Sequence, residues 1–390
     1  MNVAIICSNY FNIRKETANG TSIFVYSFVS ELIKQVQDGS LSITAFASGA
    51  SELPVNVISI DHEPSSADEG LIATGKNVLY EQTLLSKAFS MQEQFDLYHV
   101  NIGDGDISLP LSSFVKRPIV ITMHYVLDTD YMRKYFSFYK DRPNVFFVSV
   151  SNAQRKLLPD LNYISTIYHG LDPSVFGFNE SGGEDLMWAG RMVPEKGADV
   201  VVDVAKRAGR GAKLFGIPRK EHGAWLQEKV LNKLNQGSRA MKISLETGRD
   251  RFQLIPHYQT SKAFLFPISY EESFGLVLIE AMSCGTPIIA YAQGSIPEVV
   301  EDGKTGFVVN RSDEDIRGDW IIKKSGVEGL REAVDRIYAM SPDEYAEMRR
   351  ACRERVMHHF TIERMTEEYL NVYKNLTKSA LRVESRHSFL

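Results

Sequence analysis

Short runs rich in valine, isoleucine and phenylalanine alternate with stretches of helical period along almost the whole chain. That rhythm belongs to parallel sheets joined by crossover helices, so an α/β architecture is expected. The first half offers strands at Val3–Cys7, Ser42–Ala47, Val57–Ile60, Leu97–Asn101, Ile119–Met123 and Val145–Val150, with helices near Ile23–Gln35 and Lys76–Phe89. A near-continuous apolar strand such as Pro118-Ile-Val-Ile-Thr-Met implies burial on both faces. The rhythm restarts after His169-Gly-Leu-Asp-Pro, with strands near Leu186–Ala189, Lys213–Phe215, Ala263–Pro267, Pro287–Ala290 and Gly306–Val309. Helices near Ala198–Ala208, His222–Leu234 and Gly275–Ser283 separate them. The stretch Asp172–Asp185 is dense in residues that end elements and begin turns, which sets a domain boundary there. Two long helical periods close the chain, Asp343–His359 and Ile362–Leu376, with Thr361 able to cap the second. The polar tail from Lys378 is expected to fray.

At 390 residues the chain exceeds what one hydrophobic core ordinarily supports, so two domains are expected. A net charge of -5 provides no global attraction for nucleic acid. Cys7, Cys284 and Cys352 are odd in number, widely spaced and set among apolar residues, which fits packed thiols in a reducing compartment. The first residues lack a basic region and a long apolar run, and no segment is apolar for long enough to span a bilayer. A cytoplasmic protein is expected.

Two segments carry chemistry. Glu272-Ser-Phe-Gly-Leu-Val-Leu-Ile-Glu280 sets two carboxylates with seven residues between them, the second within the apolar run Leu276 to Met282. A carboxylate in such a run either faces solvent on a narrow stripe or has a buried partner that offsets its desolvation. Gly190-Arg-Met-Val-Pro-Glu-Lys196-Gly197 follows a strand and opens a helix. Such a turn presents free N–H groups and the positive end of a helix dipole, and Arg191 with Lys196 roughly balances a diphosphate without a metal. The bland alternative is a glycine-flanked turn with solvated charges.

The whole stretch from Phe264 to Ala290, including Cys284-Gly-Thr-Pro, resembles the sugar-nucleotide site of the retaining glycosyltransferases of family 4, which have the GT-B fold. The resemblance implies two Rossmann-like, doubly wound domains facing across a cleft, with a C-terminal helix returning to the first. It divides the chain into an acceptor-side domain, 1–170 plus about 361–380, and a nucleotide-sugar domain, 171–360. It implies transfer from a nucleotide-linked α-sugar, on UDP, GDP or ADP, to an acceptor hydroxyl with retention of configuration. By the same resemblance Arg191 and Lys196 hold the donor pyrophosphate, Glu272 contacts the transferred sugar, and Glu280 receives the ribose hydroxyls. Gly190, Gly216, Ser273, Phe274, Gly275 and Leu276 then line the donor, with the N–H groups of Phe274, Gly275 and Leu276 facing it.

In the N-terminal half, Glu16-Thr-Ala-Asn19-Gly20-Thr21-Ser22 stands in place of the family's glycine-rich loop, which makes Gly20 and Thr21 donor contacts; a helix cap by Thr21 or Ser22 is the alternative. His124, at the C-terminal edge of a strand, matches the family histidine that lies against the donor sugar. His99 resembles a more structural histidine, and Tyr168-His169-Gly170-Leu171-Asp172 matches an interdomain segment with His169 where asparagine is usual. Retaining glycosidases use a carboxylate nucleophile about 5 Å from the acid. No such pair is evident, and the family resemblance implies instead that the leaving diphosphate takes the acceptor proton on the same face. The triplets Asp104-Gly-Asp106, Asp128-Thr-Asp130 and Asp313-Glu-Asp315 could hold a divalent ion, but lack the pattern a metal-dependent transferase needs; no metal and no cofactor are expected. The aromatic and basic stretch Arg133–Arg142 offers weak peripheral contact with a membrane, or an ordinary helix covering the sheet. Rival readings are a GT-B phosphorylase or synthase acting on a disaccharide, and a non-catalytic sugar-nucleotide-binding protein.

Overall fold

In the computed structural model the described residues are 1–17, 19–125, 129–234 and 242–387, with side chains as far as Lys378. The chain divides into two compact units, Met1–His169 with the segment from Ile362 onward, and Gly170–Thr361. The turn-rich stretch after Asp172 packs into the second unit. There Arg353 donates to the carbonyls of Pro173 and Phe176, and Gln259 to that of Gly177.

The first unit is a seven-stranded, all-parallel sheet in the order β3-β2-β1-β4-β5-β6-β7. Its strands are β1 (Asn2–Cys7), β2 (Ser42–Phe46), β3 (Asn56–Ile58), β4 (Leu97–Asn101), β5 (Ile119–Met123), β6 (Val145–Ser149) and β7 (Tyr163–Thr166). Around it lie α1 (Gly20–Gln35), α2 (Asn77–Ser90) and α3 (Asp130–Ser137). The second unit is a six-stranded parallel sheet in the order β10-β9-β8-β11-β12-β13. It is made of β8 (Asp185–Met192), β9 (Ala212–Pro218), β10 (Ile243–Thr247), β11 (Ser261–Phe266), β12 (Ile288–Tyr291) and β13 (Gly306–Val309). Its helices include α4 (Ala198–Ala208), α5 (Leu276–Ser283), α6 (Gly326–Ala339) and α7 (Pro342–His359). The closing helix α8 (Ile362–His387) belongs to the first unit.

Strand β7, strand β10 and helix α6 escaped the sequence reading. The two strands are the outer edges of their sheets and only half-buried, so they lack the apolar runs of the central strands. Helix α8 runs past the expected end at Leu376 to His387, where fraying was expected. Its apolar positions Ile362, Met365, Tyr369, Val372, Tyr373 and Leu376 recur at helical spacing and pack with Phe24, Val25, Phe28 and Leu32 of α1. That stripe is why the chain's end returns to the first unit. Phe136 of α3 is buried with sheet residues, while Tyr131 and, just past the helix, Phe138 are exposed.

Candidate active site

Open parallel sheets hold ligands at the carboxyl ends of their strands, where the strand order reverses. In the second unit that point falls between β8 and β11. Strand β8 runs on to Met192, so Gly190 and Arg191 are strand residues, with Gly190 opposite Gly216 of β9. A Cβ on Gly216 would lie 2.2 Å from the end of the Met192 side chain, which would have to shift to admit it. Pro194–Lys196 then makes a single tight turn and Gly197, at φ +72°, returns the chain against the end of β11. A Cβ on Gly197 would lie 2.4 Å from the Pro267 carbonyl oxygen. The helix that follows, α4, where the sequence reading placed an anion, starts after Gly197 with no side-chain cap. Burial raises the pKa of Asp199 in its first turn.

A second open helix end lies at α5. Gly275 precedes it at φ +87°, a conformation only glycine adopts freely, and Gly275 itself offers no side-chain cap. The Leu278 N–H donates to the Gly275 carbonyl at 3.0 Å, which leaves the N–H groups ahead of it for water or a ligand. Just ahead, Glu272 Oε2 accepts from Lys196 Nζ at 3.1 Å and from the Tyr270 hydroxyl at 2.7 Å. Lys196 lies over the rings of Phe266 and Tyr270, at 5.2 and 4.8 Å from their centroids. The Lys196 and Glu272 side chains are 14% and 11% exposed, so this is a largely dry ion pair with Glu272 Oε1 still open to a ligand. Burial, and then the charge of Glu272, raises the Tyr270 pKa, so its hydroxyl stays protonated and donates. Arg191 is exposed, and its side chain makes no hydrogen bond or ion pair among the described residues. Behind the loop Gly294, at φ +58°, touches the backbone of Glu272, and the Ser295 N–H donates to the Glu272 carbonyl at 2.9 Å. The Ser295 hydroxyl holds the Phe274 carbonyl at 3.0 Å, while the Phe274 ring packs on Phe360. Sequence reading missed this clamp, since a lone Gly-Ser dipeptide carries no distinguishing signal.

Glu280, on α5, is 3% exposed and so is not on a solvated helix face. Arg251 donates to its Oε1 through Nε at 3.1 Å and Nη2 at 2.7 Å, and the Tyr258 hydroxyl donates to Oε2 at 3.2 Å. The partner that an apolar run demands is therefore Arg251, which nothing in the sequence marked. Arg251 uses both lone pairs of Oε1 and Tyr258 one of Oε2, so Oε2 can accept one further hydroxyl without loss of Arg251.

Gly20, Thr21 and His124 belong to the first unit. Its strand order reverses between β1 and β4, and there the carboxyl ends border a cavity of about 200 Å³ that Thr21 and Asn101 help to line. The cap of α1 is Asn19, whose Oδ1 accepts from the Ser22 N–H at 3.2 Å, in place of the expected Thr21 or Ser22. A Cβ on Gly20 would meet nothing, so the protein itself imposes no glycine there. His124 stands at the end of β5, with Nε2 3.0 Å from Asn101 Oδ1 and its ring stacked on that of His169, 5.8 Å between centroids. Burial, then His169 and His99, hold its pKa well below the ordinary value. Burial also lowers His99 and His169 to about 3. His124 is thus a neutral hydrogen-bonding ring. His99 bonds Tyr373 and Thr122 at 2.6 and 2.7 Å and ties the closing helix to the sheet.

Of the acidic triplets, Asp104 accepts from the Tyr125 N–H, Asp313 from Ser325, and Asp315 pairs with Arg317 and Arg311. Asp128 lies outside the described residues. Among the described residues no helix is long and apolar enough to cross a membrane.

Residues 177–323, which hold Arg191, Lys196, Arg251, Glu272 and Glu280, match the family described as glycosyl transferases group 1. An uncharacterized glycosyltransferase of Methanocaldococcus jannaschii is 25% identical over 78% of this chain and 86% of its own length. Among solved structures, sucrose-phosphate synthase of Thermosynechococcus elongatus superposes with a TM-score of 0.74 at 19% identity, covering 97% of this chain and 99% of that one. Anabaena HepE, solved with UDP and glucose, follows at 0.72 and 15%, covering 96% and 100%. These two likenesses establish the fold as GT-B. With a domain similar to group 1 glycosyl transferases spanning the site and a relative named a glycosyltransferase matching along most of its length, the chain is a glycosyltransferase.

Proposed function

We propose that this chain is a retaining glycosyltransferase of family 4 that works without a metal ion, moving a sugar from a nucleoside diphosphate α-sugar to an acceptor hydroxyl. The observation that carries the reading is the Lys196–Glu272 pair at the strand-order reversal, beside the uncapped start of α5. Lys196, Arg191 and the N–H groups of Gly275 and Leu276 then neutralise the charge that grows on the leaving diphosphate, the preorganised electrostatics that often dominates catalysis. Glu272 Oε1 accepts from hydroxyls of the transferred sugar, and Ser273 and Gly190 border it. Glu280 accepts from the ribose. In the first unit His124, Gly20 and Thr21 contact substrate, His124 as a neutral hydrogen-bonding group. The diphosphate itself takes the acceptor proton. Three free, buried cysteines suit a reducing cytoplasm. A nucleotide of uridine is the first donor to try, because HepE was solved with UDP.

Thermal unfolding with UDP, GDP and ADP tests the reading. A ligand at 100 times its dissociation constant stabilises by about 2.7 kcal/mol, and one of the three should do so. Arg191→Ala should weaken that diphosphate by about 1.5–3 kcal/mol in calorimetry while leaving the fold intact, since hydrogen bonds to charged groups have that range. Unchanged affinity would move the anion site elsewhere.

Turnover should persist in EDTA, because side chains and a helix end supply the positive charge. Loss of activity in chelator, restored by Mg²⁺ or Mn²⁺, would contradict the metal-free mechanism.

A further inference from the structure

Arg251 stands in the turn that follows β10, where the Asp250 carboxylate accepts from the N–H groups of Phe252 and Gln253 at 2.8 and 2.9 Å and fixes the backbone. Its guanidinium meets Glu280 side-on, with Nε and Nη2 both on Oε1. A guanidinium carries five N–H donors, and among the described residues the other three of Arg251 have no acceptor. The rings of Phe176 and Phe252 flank it, at 5.3 and 5.4 Å from their centroids, and the side chain is only 12% exposed. Arg349, a fully buried arginine of the same unit, shows the contrast. It donates from Nε to the Asn179 carbonyl, from Nη1 to the Ser261 carbonyl and the Tyr345 hydroxyl, and from Nη2 to the carbonyls of Gln259 and Cys284, which engages every donor it has. A donor left unmade in a nearly dry place is costly, so the open end of Arg251 calls for an acceptor from outside the protein.

We infer that Arg251 selects the base of the donor nucleotide: its open end donates to the base edge beside the ribose, so the enzyme takes a base with a bare acceptor there, uracil O2 or adenine N3, and rejects guanine. The inference deepens the reading of Glu280 as the ribose acceptor and rests on it. A ribose hydroxyl bonded to Glu280 shares that carboxylate with Arg251, which brings the guanidinium beside the sugar. The base edge on that side is the minor-groove edge, which shows an acceptor alone in uracil and adenine, whereas guanine adds its N2 amino donor. Arginine only donates and stays charged. Facing it, an acceptor completes a charge-assisted bond, while a second donor leaves both groups unpaired. The Asp250 turn and the Glu280 pair hold the fork in place before the ligand arrives, so little ordering is lost on binding.

Calorimetry on the intact protein tests this with UDP, ADP and GDP and with two edge analogues. In 2-thio-UDP the O2 acceptor becomes sulfur, a weak acceptor, and in 3-deaza-ADP the N3 acceptor becomes C–H. Arg251→Lys keeps a positive charge for Glu280 but lacks the fork. The expected result is that UDP or ADP binds tightest, with GDP at least about tenfold weaker, which corresponds to about 1.4 kcal/mol. The edge analogue of the tightest nucleotide should also lose at least about tenfold in the wild type, and less than about threefold in Arg251→Lys. GDP as the tightest ligand, a smaller loss for the edge analogue in the wild type, or the same loss in both proteins overturns the base assignment and leaves the donor site standing. Should Arg251→Lys fail to fold, the wild-type series decides by itself. Absence of binding by all three parent nucleotides, or a 2′,3′-dideoxy parent that binds as well as the parent, would instead remove the ribose reading of Glu280.

Discussion

Replacing Lys196 with alanine should lower kcat/KM by about two to three orders of magnitude, the loss seen when one preorganised donor to a developing oxyanion is removed. It should also cost stability, because Glu272 would keep its charge in a place where its side chain is only 11% exposed. These effects are separable. In the double variant Lys196→Ala/Glu272→Gln the stranded charge is gone, so the melting temperature should recover while turnover does not. If the ion pair served only the fold, stability and activity would recover together. A single Lys196→Ala enzyme within about threefold of wild type in kcat/KM would sink the assignment, because threefold is under 1 kcal/mol.

The largest loss of stability is expected at Arg251. Arg251→Leu leaves Glu280 at 3% exposure with Tyr258 as its remaining side-chain donor among the described residues. Breaking a buried pair by removing one partner typically costs about 3–5 kcal/mol. Chemical denaturation should show most of that loss, and Arg251→Leu/Glu280→Gln should regain much of it. Glu280→Gln alone probes the ribose, and nucleotide affinity should fall at least tenfold, about 1.4 kcal/mol. A 2′,3′-dideoxy nucleotide should lose affinity for the wild type and lose little more for the variant, since the partner is already missing. Additive losses would show that Glu280 serves Arg251 and the core alone.

Both experiments turn on pairs that are far apart in sequence, and this marks the limit of what the chain announces. The parallel sheets were legible because valine- and isoleucine-rich strands and helices of period 3.6 are patterns over a few neighbours. The positions of Lys196, Glu272 and Glu280 were legible because they sit in short, dense motifs at strand and helix ends. The return of the closing helix was implied by resemblance, and its apolar stripe from Ile362 to Leu376 gives the physical cause.

Other features had no local signature. Arg251 and Glu280 are separated by 29 residues, and Lys196 and Glu272 by 76, so their pairing depends on which strands become neighbours. His124 read as a single histidine, whereas it lies stacked on His169 and hydrogen-bonded to Asn101 at the end of the neighbouring strand β4. Propensity and spacing act over one or two turns of chain. Burial, pairing and protonation are properties of the packed sheet, where residues dozens of positions apart share one dry environment.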